Sequence, residues 1–266
     1  MNNQILGTYL RILAVVFVLS CLPTFAQTPQ TIEKELVNHA KRIRTLATEE
    51  GQDNAVKLDA ENDALKAKLV KYGRLASVLK YPFNELKKHL FVATSKDGKF
   101  RIYSWDTETG GTMHFYENVF QFQGGDGKVY AKAAVLDEGD SGGFYSDIFQ
   151  VSTKNGTVYL GRMTATLSTK HSYEEVALFK IDRRTLDDRV RLFKTKAGLQ
   201  DHIGFEYNFF SVVNRKERPI KLIQFDERSN TVRIPVVLIK KDDEIGTVTK
   251  RFINYRFNGT HFVNAK

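Results

Sequence analysis

The spacing of apolar residues changes near Leu90, and this change constrains the fold of the chain more than any other feature. Before Leu90 the apolar residues recur every three or four positions, which is the period of an amphipathic helix. A first helix is predicted, beginning after an N-cap and a first-position proline at Thr28-Pro29. Its apolar stripe consists of Leu36, Ala40, Ile43 and Ala47.

A second helix is predicted after Gly51, with Asp53 as its N-cap, and it ends near Gly73. Pro82 is predicted to open a short third helix. The helices of residues 31–73 have two possible roles. They either pack on the domain that follows or form a coiled-coil-like arm that pairs with a second copy of the chain.

After Leu90 the apolar residues alternate, as they do in strands. The alternation is clearest over residues 232–238, where Pro235 interrupts it. Because proline has no N–H to donate to the ladder of a central strand, this strand is predicted to be an edge strand or to be bulged at Pro235. About ten to twelve strands are expected from the spacing of turn signals. These signals are Ser95–Gly98, Gly124–Gly127, Lys154–Gly156 and Asn258-Gly259.

The predicted fold class is α+β and mainly β. An N-terminal helical segment precedes an antiparallel β meander, which forms a sandwich or a barrel, with propeller-like blades as the alternative. The predicted division is a signal peptide at residues 1–26, a helical segment at 27–82 and an antiparallel β domain at 83–266.

The N-terminus has the pattern of an export signal. Arg11 precedes an 11-residue run, 12–22, that is apolar except for one serine, and Thr24-Phe25-Ala26 supplies a small-x-small cleavage site. A membrane span needs about 20 apolar residues. We therefore expect an exported protein, periplasmic or extracellular, without a transmembrane segment. Cys21, the single cysteine, leaves lipid anchoring as an alternative.

Positive charge is concentrated in the last third of the chain. The net charge of the whole sequence is +9, and residues 183–266 carry 18 basic and 10 acidic side chains, a surplus of 8. Such a surplus either keeps loops solvated or attracts an anionic surface. No nucleic-acid motif accompanies it, so nucleic acid is not an expected partner. The candidate anion-binding residues are Arg183, Arg184, Arg215, Lys216 and Arg218.

Residues 105–114 form the candidate ligand-binding loop. The segment combines the only tryptophan with two carboxylates, a glycine pair, several hydroxyls and a histidine. Such a loop could hydrogen-bond a sugar or peptide while the indole stacks on it, or the tryptophan could anchor the core while the rest forms a wide turn. The candidate ligand-binding residues are Trp105, Asp106, Glu108 and His114.

One motif resembles catalytic machinery without its context. Gly139–Gly143, with Ser141 at its centre, resembles the nucleophile loop of chymotrypsin-like serine proteases, but Phe144 stands where that family has proline. An acidic turn between strands explains the string. The histidines are isolated and the acids of residues 137–140 lack calcium-loop spacing, so no metal, no cofactor and no catalytic residue is predicted.

The segment Ser95–His114 and the signal ending Phe25-Ala26-Gln27 resemble uncharacterised exported β-rich proteins of Gram-negative, Bacteroides-like bacteria. This resemblance implies a compartment and brings no activity or site residue. The first functional hypothesis is a non-catalytic binding module of the cell envelope, whose partner is an envelope glycan or an anionic surface. The second is a hydrolase that acts on envelope glycans through Asp106, Glu108 or Asp140. The third is a structural role with self-association through residues 31–73.

Overall fold

The computed structural model describes residues 27–49, 51–241 and 243–265. The predicted signal peptide and Cys21 lie outside these residues. The described chain is mainly β, with an N-terminal helical segment followed by antiparallel sheets, as the sequence predicts. The sheets do not close into a barrel, so that alternative is wrong.

Three α-helices begin the described chain: α1 (Pro29–Thr48), α2 (Gln52–Tyr72) and α3 (Ala76–Lys80). Thr28 caps α1 as predicted, since its hydroxyl accepts from the Thr31 backbone N–H at 3.3 Å. The stripe of α1 ends with buried Leu46, and the predicted Ala47 is exposed. Asp53 was expected to cap α2, but the N-cap residue is Gly51.

The predicted third helix is wrong in position. Helix α3 ends before Pro82, and the segment after it contains only a short 3₁₀ helix, Leu86–Lys88. Tyr81 is extended, with φ −76° and ψ 135°, as residues before proline usually are, and this ends α3. Phe83 then adopts a positive φ of 54°, which lies outside the right-handed helical region, so no α-helix begins at Pro82.

The strands form three open sheets. Sheet I contains β1 (Phe91–Thr94), β2 (Phe100–Asp106), β3 (Tyr116–Gln123) and β4 (Val129–Ala133). Sheet II contains β5 (Phe144–Thr153), β6 (Gly156–Thr166), β7 (His171–Asp182), β8 (Thr185–Asp187) and β11 (His202–Asn208). Sheet III contains β9 (Phe193–Thr195), β10 (Gly198–Gln200), β12 (Gln224–Asp226), β13 (Thr231–Leu238), β14 (Thr247–Phe257) and β15 (Phe262–Ala265).

Strand number and pairing differ slightly from expectation. The described chain has fifteen strands, and four of them, β8, β9, β10 and β12, are only three residues long, which is too short for a periodicity signal. Neighbours pair antiparallel except β15 and β9, which pair parallel. The predicted irregularity at Pro235 is confirmed, because the register of β13 with β14 shifts between Pro235 and Val237.

The helices and sheets stack as four layers, with an apolar core in each interface. Helices α1 and α2 cover one face of sheet I around Trp105. Sheet I meets sheet II through rings such as Phe120 and Phe179, whose centroids are 5.5 Å apart. Sheet II meets sheet III around Leu178 and Phe262. Sheets I and II are therefore covered on both faces. The apolar faces of α1 and α2 pack against sheet I of the same chain.

Candidate functional site

Trp105 belongs to the core beneath the candidate loop. Its side chain points from β2 toward α2, where Nε1 donates to Asn62 Oδ1 at 2.9 Å. Only 3% of the residue is exposed. This is the core-anchoring role that the sequence left as an alternative. An indole that stacks on a ligand needs an exposed face, and Trp105 has almost none.

Asp106 and His114 form a dyad across the loop. Asp106 Oδ2 is hydrogen-bonded to His114 Nδ1, and Asp106 Oδ1 accepts from the Glu108 backbone N–H at 2.9 Å. The His114 backbone N–H donates to the Thr166 carbonyl at 3.0 Å, which ties the loop to β6. With Nδ1 occupied, Nε2 is the ring nitrogen left to meet a ligand, and 41% of the side chain is exposed.

A cavity on the helix side of this dyad, the helix-side pocket, has a volume of about 320 Å³. Arg44 of α1, His89, Asp106, Glu108 and His114 line it. Burial raises the pKa of Glu108, and the neighbouring Asp106 raises it further. Burial lowers the pKa of His89, assisted by the positive charges of Lys41 and Arg44. Two carboxyls, two imidazoles and one guanidinium therefore share a small space.

A second cavity, the hydroxyl pocket, lies on the other side of His114 and has a volume of about 490 Å³. Thr112 and His114 of the loop form one wall, and Arg218 with Pro219 forms another. Hydroxyl-bearing and aromatic side chains complete it. They are Thr164, Thr166, Ser168, Thr169, Ser172, Phe144, Tyr207 and Phe209.

The predicted anion-binding residues lie in two places. Arg183 and Arg184 contact the β3–β4 turn, where the Arg183 carbonyl accepts from the Gly125 N–H at 2.6 Å and Arg184 Nε pairs with Asp126 at 2.9 Å. Arg215, Lys216 and Arg218 lie in the loop after β11, where Arg215 pairs with Glu217 at 2.5 Å.

Arg218 is the member of this group that reaches a pocket. Its guanidinium donates to the carbonyls of Arg215 at 2.6 Å and Val213 at 2.8 Å, which fixes its position. A cation held in this way is pre-organised at the wall of the hydroxyl pocket. Of the predicted site residues, His114 and Arg218 therefore meet at one cavity, although 104 residues (218 − 114) separate them along the chain.

A third cavity lies between sheets I and II and has a volume of about 690 Å³. We call it the acidic cleft. Asp140, Glu175 and His202 are among its lining residues, and the last two are not among the site residues predicted from the sequence. Alternation along β7 gives a signal, because Glu175 shares a face with Ala177 and Phe179, both buried. A carboxyl on a face that is otherwise apolar marks a polar cavity.

Ser141 is not placed as a nucleophile. It is 6% exposed, and its hydroxyl contacts the Gly142 carbonyl at 3.3 Å. Glycine is favoured at positions 139 and 142 because the backbone there has positive φ values of 85° and 64°. The string is a turn before β5.

Within residues 27–49, 51–241 and 243–265, no three His, Cys, Asp or Glu side chains are grouped to hold a metal ion. None of the helices in that part of the chain has the length and apolarity needed to cross a membrane. Comparison of the chain with models of known protein families and with curated protein sequences finds no match.

Proposed function

We propose that the protein is a non-catalytic binding module, exported to the bacterial cell envelope, that holds an acidic glycan in the hydroxyl pocket. One observation carries the proposal: His114 of the candidate loop and Arg218 of the basic last third line the same cavity. The signal-like N-terminus, predicted from Arg11, the apolar run and Ala26, supports export to the periplasm or beyond.

The lining of the hydroxyl pocket matches the chemistry of a sugar acid. Hydroxyls of Thr164, Thr166 and Ser168 can both donate and accept, as sugar hydroxyls require. The half-buried ring of Phe209 offers apolar surface to the carbon skeleton of a sugar, whereas Phe144 and Tyr207 are buried in the wall. Arg218 supplies the fixed positive charge for a carboxylate or phosphate. A volume of about 490 Å³ lies within the range of small-molecule sites.

The same lining argues against hydrolysis in this pocket. Glycoside hydrolysis needs two carboxyl groups that flank the scissile bond. The described residues that line the hydroxyl pocket include neither aspartate nor glutamate. The nearest acid in the loop, Asp106, is engaged by His114 Nδ1 and by the Glu108 backbone. A ligand would be bound there without a general acid above the glycosidic oxygen.

A hydrolase is the second candidate, and the helix-side pocket favours it. Asp106 and Glu108 line that pocket together, and burial raises the pKa of Glu108, as a general acid requires. Asp106 would then act as the base. Asp140, the third acid in the sequence hypothesis, lines the acidic cleft and not this pocket.

The test is a binding screen with acidic and neutral oligosaccharides, using trigalacturonate and maltotriose as the matched pair. We expect trigalacturonate to bind and Arg218→Ala to weaken it by about 10-fold to 100-fold, since a hydrogen bond to a charged group contributes roughly 1.5–3 kcal/mol. Arg184→Ala is the matched control, because Arg184 pairs with Asp126 outside the pocket and its loss should leave the affinity unchanged.

Arg218 also supports its own loop, so His114→Gln is a second variant at the opposite wall. Equal binding of maltotriose and trigalacturonate would contradict the anionic ligand. Equal weakening by Arg184→Ala would show that net charge, not the pocket, attracts the ligand. Release of reducing ends that is lost in Glu108→Gln and kept in Arg218→Ala would establish the hydrolase instead.

A further inference from the structure

The acidic cleft is separate from the hydroxyl pocket and is rich in hydrogen-bond acceptors. Its walls are β3 and β4 of sheet I, residues 134–143, and β5, β6 and β7 of sheet II. Phe120, Tyr145 and Phe179 form an aromatic floor that belongs to the core between the two sheets. Polar groups stand above this floor.

Asn118 lines the cleft and has an unsatisfied acceptor. The residue is 5% exposed, and its Nδ2 donates to the Gly143 carbonyl at 3.0 Å. That bond sets the orientation of the amide, because only the NH₂ group can donate to a carbonyl. Oδ1 is then buried, and no described residue donates to it. A buried acceptor without a donor lowers the stability of the protein by about 1–3 kcal/mol, so a ligand that donates a hydrogen bond is favoured here.

Glu175 supplies a second acceptor. Tyr173 donates its hydroxyl to Oε2 at 2.8 Å, and a hydroxyl has only one proton to give. His202 Nε2 lies 4.0 Å from the same oxygen, while Asp201 holds His202 Nδ1 at 2.8 Å. Burial raises the pKa of Glu175, and the charge of His202 opposes this. A cation in the cleft would compensate the buried carboxylate.

The charge of the cleft is opposite to that of the whole protein. Five acids line it, Asp137, Asp140, Glu175, Asp188 and Asp201, against Lys132 and Arg189, which leaves −3 (2 − 5) when His202 is not counted. Lys132 is already paired with Asp188 at 2.7 Å.

We propose that the acidic cleft is a binding site for a small aliphatic amine, which places its ammonium groups beside the Asn118 amide and the carboxylates and lays its methylene chain on the apolar side chains of Leu136, Met163 and Leu167. An ammonium group has three donors and no acceptor, so it suits a site of acceptors. The exposed side chain of Leu136 and the half-buried side chains of Met163 and Leu167 offer apolar surface to the methylene chain. A volume of about 690 Å³ accommodates a polyamine.

Calorimetric titration of the protein with spermidine tests the proposal, with the neutral 1,7-heptanediol as control. We expect spermidine alone to bind, and Glu175→Gln to weaken it by about 10-fold to 100-fold, because a charge-assisted hydrogen bond is lost. Glu206→Gln is the matched control. Glu206 lies on β11 beside β7, and its side chain is 61% exposed and paired with His171 outside the cleft.

Asp140→Asn is a second variant in case Glu175→Gln does not fold, because an amide oxygen can still accept from the Gly142 N–H that Asp140 binds at 2.8 Å. We expect it to weaken spermidine several-fold and Arg218→Ala to leave it unchanged. The proposal would be overturned if spermidine does not bind at millimolar concentration, or if Glu206→Gln weakens binding as much as Glu175→Gln does. It would also be overturned if glucosamine, an amino sugar, binds more tightly than spermidine. Competitive displacement of spermidine by calcium would overturn it in favour of a metal site.

Discussion

The Trp105 indole Nε1 donates to Asn62 Oδ1 at 2.9 Å, which joins strand β2 to helix α2. Asn62 Nδ2 donates in turn to the carbonyls of Leu58 at 3.0 Å and Thr107 at 2.9 Å. One buried amide thus binds the helix, the sheet and the start of the candidate loop. The helical segment and sheet I therefore share a core, although their periodicities differ.

Asn62→Ala is expected to lower the free energy of unfolding by about 2–4 kcal/mol, because it leaves the Trp105 N–H and the Thr107 carbonyl buried without partners. The higher helix propensity of alanine offsets at most about 0.7 kcal/mol of this loss in the free energy of unfolding. Urea denaturation measures the difference. Asp63→Ala on the same helix is the control, since the Asp63–Lys66 pair is exposed and should contribute less than about 1 kcal/mol. Equal effects of the two variants would contradict the role of Asn62.

Glu33 is predicted to hold the segment that joins the helices to sheet I. It is 6% exposed, its Oε2 accepts from the Tyr81 hydroxyl at 2.8 Å, and its Oε1 accepts from the backbone N–H groups of Glu85 at 2.8 Å and Leu86 at 3.1 Å. Glu33→Gln replaces one acceptor oxygen by a donor and should cost about 1.5–3 kcal/mol. Thermal unfolding compares it with Glu85→Gln, whose exposed side chain pairs only with Lys88. A loss no larger than that of the control would disprove this role.

Glu174 is predicted to make stability depend on pH. Burial raises its pKa to about 7, although the backbone N–H groups of Ile223 and Leu222 oppose the shift. Between about pH 4.5 and 7 the folded protein holds a proton that the unfolded chain has lost. This stabilisation is complete below about pH 4.5 and is lost as the pH rises through about 7.

The comparison of the protein with Glu174→Gln isolates this effect, because glutamine does not titrate. Since one pKa unit is worth about 1.4 kcal/mol, the stability of the unmodified protein relative to Glu174→Gln should fall by roughly 3 kcal/mol from pH 4.5 to pH 7.5. Urea denaturation at four pH values measures the difference. A difference that does not change with pH would contradict the raised pKa.

Gly204 is predicted to be required by the acidic cleft. A Cβ at this position of β11 would lie 2.1 Å from the Tyr173 hydroxyl and 2.8 Å from Glu175 Cβ. Gly204→Ala should therefore displace Tyr173 from Glu175 and cost about 1–3 kcal/mol. Tyr173→Phe removes the nearest atom but leaves Cζ at 2.4 Å, so the clash remains. Because Gly204→Ala already displaces the Tyr173 hydroxyl from Glu175, the double variant should still lose less than the sum of the single losses. Gly111→Ala, with open space around it, is the control and should be close to neutral. Strict additivity would refute the steric argument.

Local pattern predicted the elements that depend on neighbours in the chain. The spacing of Leu36, Ala40 and Ile43 predicted α1. Alternation over residues 232–238 with Pro235 predicted a strand that is either at an edge or bulged, and β13 is bulged. The helix expected after Pro82 was wrong because Phe83 adopts a positive φ of 54°, which a helix cannot contain. The composition of residues 105–114 identified the candidate loop. The Trp105 side chain nevertheless lies in the core, where its N–H is paired with Asn62 of α2.

Two adjacent residues on β7 separate what the sequence determines from what the tertiary structure decides. Period-2 alternation by itself places Glu174 and Glu175 on opposite faces of a strand. On an ordinary two-layer sheet one of them would reach water, whereas here sheet II is covered on both faces. Glu174 therefore binds the backbone of residues 222–223, and Glu175 lines the acidic cleft. The local pattern of the sequence determined the longer strands and the face to which each of their side chains points. Only the stacking of layers decided which groups lost their water, because burial depends on contacts between residues far apart in the chain.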